Sequence, residues 1–177
     1  MMMQMLRAGG VPLLADDVRK ADEDNPRGYC ELEAVKRSRR DYSWLEDAPG
    51  KAVKVIHVLL ADLPRDRAYH VLFMQRQIDE VVDSQQAMLA RTGRRGAALS
   101  RERLAGALER QSDQALAYLR SHDCFAVLPA HYEQVIADPL GQAQSVCQFL
   151  GRPLDVPAMA AAVDPALYRQ QQRDGGS

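Results

Sequence analysis

The chain has 177 residues, 46% of them hydrophobic and 27% charged, with a net charge of -1. That is enough for one domain with a real core, and it excludes a global basic field that would recruit nucleic acid or anionic membrane. No apolar run approaches the roughly 20 residues that span a bilayer, and MMMQMLRAGG lacks the basic start, long apolar core and cleavage site of a signal peptide. A cytoplasmic protein with neither membrane nor nucleic acid as partner is expected. Cys30, Cys124 and Cys147 are far apart and without metal-ligand spacing. They read as reduced thiols that pack, and no metal site is expected.

Met1 to Arg7 suits a helix, stopped by Ala8, Gly9 and Gly10, with Pro12 shortly after. Ala15 to Arg27 is acidic and polar, a loop that ends in the turn-forming Asn25, Pro26, Arg27 and Gly28 before a helix from about Glu31 to Arg40. Pro49 and Gly50 break the chain. AVKVIHVLL, from Ala52 to Leu60, is continuous and apolar enough for a central parallel strand that Leu63 and Pro64 end. Tyr69 to Met74 is a second such strand. Ile78 to Leu89 repeats apolar residues at helical spacing through Val81, Val82 and Met88, which makes strand, turn and helix a βα unit. Thr92 to Gly96 is a basic, Gly-rich break. Ser100 then starts a helix to about Ser121, through Leu104, Leu108, Ala115 and Leu119, with Arg103 standing where a capping box would want Glu. Cys124 to Leu128 is a third strand. Asp138 and Pro139 supply the N-cap and first residue of a helix that Gly151 stops. The tail from 170 to 177 is polar and expected to fray. Three strands separated by helices predict an α/β fold, a small parallel sheet flanked by helices and helix-rich for its class, as one domain over 1–169.

Chemistry enters at Val71 to Ser84, VLFMQRQIDEVVDS. A buried strand stops at Arg76 and a helix begins at once, which puts Ser84 about two turns along that helix. Arg offers a rigid, bidentate fork to phosphate oxygens, and helix N-terminal N–H groups and a hydroxyl complete an anion shell. Ligands of open α/β sheets lie at this carboxyl end of the strands. The alternative is an Arg76 paired with Asp79 or Glu80 and a Ser84 lost in a helix face.

Ser eight residues after Arg across a strand-to-helix turn resembles the element with which sulfotransferases grip the 3'-phosphate of 3'-phosphoadenylyl sulfate (PAPS). Tyr132 to Leu154, YEQVIADPLGQAQSVCQFLGRPL, is similar to the stretch of that family in which Tyr-Glu follows a strand and Asp- or Asn-Pro caps a helix ending in Phe-Leu-Gly. MMMQMLRAGG resembles the helix that follows the family's Pro-Arg-Ser-Gly-Thr-Ser loop. NPRGYCE, from Asn25 to Glu31, resembles a stretch found after that helix in bacterial sulfotransferase-like proteins. The resemblance runs from Met1 to about Tyr168 and implies a truncated P-loop nucleotide-hydrolase-like, that is sulfotransferase, fold. It further implies transfer of a sulfuryl group from PAPS to a hydroxyl or amine on a small-molecule or biopolymer acceptor. Arg76, Ser84 and Tyr132 are then contacts to PAPS or adenosine 3',5'-bisphosphate, with Tyr132 against the adenine. The loop for the 5'-phosphosulfate and the central strand before it are not in this sequence, so an N-terminally truncated form of a longer enzyme is expected rather than a natural remnant. The family's later Arg-Lys-Gly element has no counterpart: Arg173, Asp174 and Gly175 fall in the tail, and Arg94 and Arg95 read as a solvated turn.

Sulfuryl transfer needs a general base for the acceptor's proton. The family's Lys-x-His pattern puts both residues on one side of a strand. Lys54 and His57, an odd number apart, face opposite sides of a regular strand, so His57 reads first as a satisfied core or strand-end histidine. The carboxylate candidates are Glu31, ending NPRGYCE, and Asp16, just beyond the first helix, where some family members place an acidic base. Each also suits a loop or helix-start charge, and the order of preference for the base is Glu31, Asp16, His57. The competing functions are a noncatalytic adenosine-phosphate-binding module and a helical interaction protein.

Overall fold

Two of the three expected strands form, and they form the sheet. A computed structural model describes residues 1–16, 18–19, 28–37, 41–92 and 100–164, with the backbone alone over 87–92. Strand β1 (Tyr69–Gln75) pairs in parallel with β2 (Phe125–His131), in register from Tyr69 opposite Phe125 to Gln75 opposite His131. Side chains alternate across the pleat, and each parity has its own core. Val71, Phe73, Phe125 and Val127 pack with Trp44, Leu45, Leu60 and Leu119, whereas Leu72, Leu128 and Ala130 pack with Met2, Met5, Val146 and Met159. Burial on both faces is why these strands read as continuous apolar runs rather than as alternating ones.

The helices start and stop where local chemistry dictates. Helix α1 is Met2–Ala8, α2 is Ile78–Thr92, α3 is Arg101–Arg120 and α5 is Pro139–Leu150. The Ser100 hydroxyl accepts from the Arg103 N–H at 3.4 Å, and the Asp138 carboxylate accepts from the Gly141 N–H at 3.0 Å, each satisfying a donor that a helix N-terminus leaves open. Gly151 closes α5 at φ 61, a conformation that costs a side chain and not glycine. Two short helices, α4 (Tyr132–Ala137) and α6 (Val156–Ala161), are too brief for periodicity to reveal. Gly9 ends α1 with an ordinary φ of -74. Its missing side chain serves packing instead, because a Cβ there would lie 2.6 Å from the Met159 Cγ.

The strand expected over Ala52–Leu60 does not form. Ala52 makes an isolated parallel bridge to Leu13, and the chain from His57 to Asp62 winds into a 3-10 helix. The winding turns Leu59, Leu60 and Leu63 together into the core beside Trp44 while Ile56 and Val58 stay exposed. An unbroken apolar run satisfies strand and helix periodicity alike, and packing against α3 decides it here. The helix expected over Glu31–Arg40 is a single 3-10 turn, Glu33–Arg37, and a further 3-10 turn, Ser43–Asp47, buries Trp44 and Leu45. The turn at Asn25, Pro26 and Arg27, residues 38–40, the pair Arg94 and Arg95, and everything from 165, including the tail with Arg173, Asp174 and Gly175, lie outside the described residues.

Among the described residues no third strand joins the sheet. A cavity of about 1050 Å³ runs along β1 instead, walled by residues 67–74 on one side and 48–57 on the other, with Met1, Met2 and Met3 at the α1 end. Residues of both parities of β1 line it, so it lies along the strand's edge, opposite the edge that β2 occupies. No helix among the described residues is long and apolar enough to cross a membrane.

Candidate functional site

The register of the sheet builds the site. Gln75 lies opposite His131, so the next residues, Arg76 and Tyr132, leave the strands side by side at their carboxyl ends. The guanidinium carbon of Arg76 sits 5.0 Å from the centroid of the Tyr132 ring. Arg76 Nε donates to Glu80 Oε2 at 2.7 Å, from the turn to the first turn of α2. The Gln77 N–H donates to Glu133 Oε1 at 3.2 Å, tying the start of α2 to the start of α4. The two strand ends are thereby joined by an arginine on an aromatic ring and by a backbone-to-carboxylate bond.

The sequence left open whether Arg76 faces an anion or pairs with Asp79 or Glu80. It pairs with Glu80. Asp79 turns away to Arg101, which it meets at 3.2 Å and which Asp83 also bonds. Glu80 is 2% exposed, the one buried polar or charged residue among those described. A carboxylate so placed needs a compensating charge, supplied by Arg76 and by the positive end of α2. Ser84 follows Glu80 by four residues, so it shares Glu80's face of α2 about 6 Å further along the axis; it is half-buried. The Tyr132 phenol is held above its ordinary value of 10.0, chiefly by burial, with Arg76 pulling it down and Glu80 and Glu133 pushing it up. A planar cation fixed beside an aromatic face can bind an anion and stack a base.

The proposed bases lie elsewhere, and Asp16 and Glu31 are drawn together. The Asp16 N–H donates to the Glu31 carbonyl at 2.8 Å. Glu31 Oε1 meets Lys54 Nζ at 3.0 Å and Arg19 Nη1 at 3.3 Å. The Asp16 carboxylate accepts from the Val18 N–H at 3.1 Å and the Glu33 N–H at 2.6 Å. Tyr29 packs its ring against the Arg19 guanidinium at 3.3 Å, with Lys54 Nζ at 5.7 Å. Both carboxylates are therefore committed to local partners. His57 departs from expectation in its backbone: it sits in a 3-10 helix rather than on a strand, with its Nε2 buried and without a hydrogen-bond partner among the described residues. Its ring lines the cavity beside β1. Cys30, Cys124 and Cys147 are free thiols of intermediate burial, and the described residues hold no group of three or more potential metal ligands.

Sequence reasoning gave no site role to Glu80, Glu133 or Lys54. The four-residue step from Arg76 to Glu80 and the adjacency of Glu133 to Tyr132 were usable signals. Lys54 drew notice only beside His57, and its pairing with Glu31 had no signal, because the two lie 23 residues apart. Comparisons with protein-family models, with curated proteins and with solved structures found no match for the chain.

Proposed function

We propose that the carboxyl end of the sheet is a clamp for the 3'-phosphate and adenine of PAPS or adenosine 3',5'-bisphosphate, in a sulfotransferase-like protein that moves a sulfuryl group to a hydroxyl or amine acceptor. The observation that carries the proposal is the juxtaposition of Arg76 and Tyr132, 5.0 Å from guanidinium carbon to ring centroid. Two motifs 56 residues apart, each resembling an element of one nucleotide site, meet where α/β folds bind ligands.

The clamp is tested by calorimetry with adenosine 3',5'-bisphosphate. Arg76→Ala should lower affinity by about 10- to 100-fold, the worth of a hydrogen-bonded charge. Arg76→Lys should fail to restore it, because an ammonium lacks the bidentate fork. Unchanged affinity in both variants would remove the clamp.

A second reading, a noncatalytic nucleotide-binding module, is favoured by the state of the bases: Glu31 is neutralised by Lys54 and Arg19, and Asp16 is committed to two backbone N–H groups. Nucleotide affinity that depends on Arg76, without measurable sulfuryl transfer from PAPS, would select this reading.

A further inference from the structure

We infer that Glu80 is a positioning residue for the anion site: it holds Arg76 through Nε and so fixes the plane and direction in which the guanidinium meets a ligand phosphate. The inference rests on the clamp reading and assigns a residue that the reading itself does not use. Three observations carry it. Glu80 is 2% exposed, so its carboxylate is not a solvated charge that happens to lie near an arginine. Its bond of 2.7 Å is to Nε, which lies on the side-chain axis. A bond there restrains rotation about the terminal torsions of a long side chain, whose disorder otherwise opposes every contact it makes. The Tyr132 ring bounds the same guanidinium from a second element, so the cation is held from α2 and from α4.

Position in the fold explains why a carboxylate suits the role. Glu80 is the third residue of α2, where the helix's positive end favours an anion. From there its side chain reaches back four residues to the turn that leaves β1. Glu80 lowers the net positive charge facing a phosphate and in return removes the freedom of the arginine; positioning is the larger effect.

The test uses the full chain, with adenosine 3',5'-bisphosphate and adenosine 5'-monophosphate as probes in calorimetry, and the Arg76 Nε–H signal followed by NMR. Glu80→Ala should weaken the bisphosphate about tenfold, the low end of one charge-assisted hydrogen bond, and leave the monophosphate unchanged. Glu80→Gln keeps an oxygen acceptor and should hold bisphosphate affinity within about threefold of wild type. The Nε–H should exchange slowly in the wild type and in Glu80→Gln, and rapidly in Glu80→Ala. Bisphosphate affinity that is unchanged or increased in Glu80→Ala would overturn the inference and make Glu80 a competitor for Arg76. Equal losses for both nucleotides in both variants would reduce Glu80 to a purely structural group and overturn it as well. A wild type that binds the two nucleotides equally would instead remove the clamp reading, and the inference with it.

Discussion

The clamp at the ends of β1 and β2 and the cluster around Glu31 are built from the same materials, carboxylates, cations and a tyrosine, and they come out differently. In the clamp, Arg76, Glu80 and Tyr132 sit on or beside regular elements, and the strand register fixes where each side chain begins. In the cluster, Asp16, Arg19, Tyr29, Glu31 and Lys54 come from irregular segments, and their positions are set by one another. Backbone placement lets an arginine keep a direction. Charges that must locate one another from loops are consumed in doing so, which leaves Glu31 held between two cations.

Four substitutions sharpen or break this contrast. Both regions rest on one sheet, so Phe73→Ala, at a core position 6% exposed, should cost about 3–5 kcal/mol in chemical denaturation; a loss under about 1 kcal/mol would mean the sheet is not their common support. Next in size, Arg76→Ala should weaken adenosine 3',5'-bisphosphate about 10- to 100-fold while Glu31→Gln changes it less than about twofold, and equal losses would erase the distinction. The ion pairs of Glu31 are partly solvated, with Lys54 39% and Arg19 42% exposed. Glu31→Gln should therefore cost no more than about 1 kcal/mol and less in high salt; a larger, salt-insensitive loss would make the cluster as rigid as the clamp.

The smallest effect is one of pH. The folded state holds the Tyr132 phenol neutral beyond its ordinary 10.0. The stability this lends is complete below that value and is lost as pH rises through the raised one, since the unfolded chain then binds fewer protons. Denaturation between about pH 9 and pH 11 should show the wild type losing more stability than Tyr132→Phe, with a residual slope from Tyr69, which burial shifts the same way. Identical slopes would show that burial at Tyr132 is too slight to matter.

The legibility of this chain follows the same divide. The boundaries of α3 and α5 were readable because Ser100, Asp138 and Gly151 perform capping chemistry that depends on immediate neighbours alone. Arg76 and Tyr132 were each readable as motifs, but their contact was not, because it depends on a register set by burial across both strands. The misjudged strand at 52–60 shows the limit of a continuous apolar run. Nothing local distinguishes an edge-paired strand from a turn of 3-10 helix, and Leu59, Leu60 and Leu63 resolve it only by what they pack against. The Glu31 to Lys54 pair was invisible because no rule of spacing links residues so far apart in loops.

The contact between Gly9 and Met159 joins the start of the described chain to nearly its end, with the Asp155 N–H donating to the Gly9 carbonyl at 3.2 Å. Helix α1, seven residues long, is too short to persist by itself in water. Its buried face of Met2, Met5 and Leu6 thus has to wait for α6 to leave the ribosome. Helix α1 is thus secured only once the much later α6 has been made, and until then its methionines are a surface for chaperones to hold.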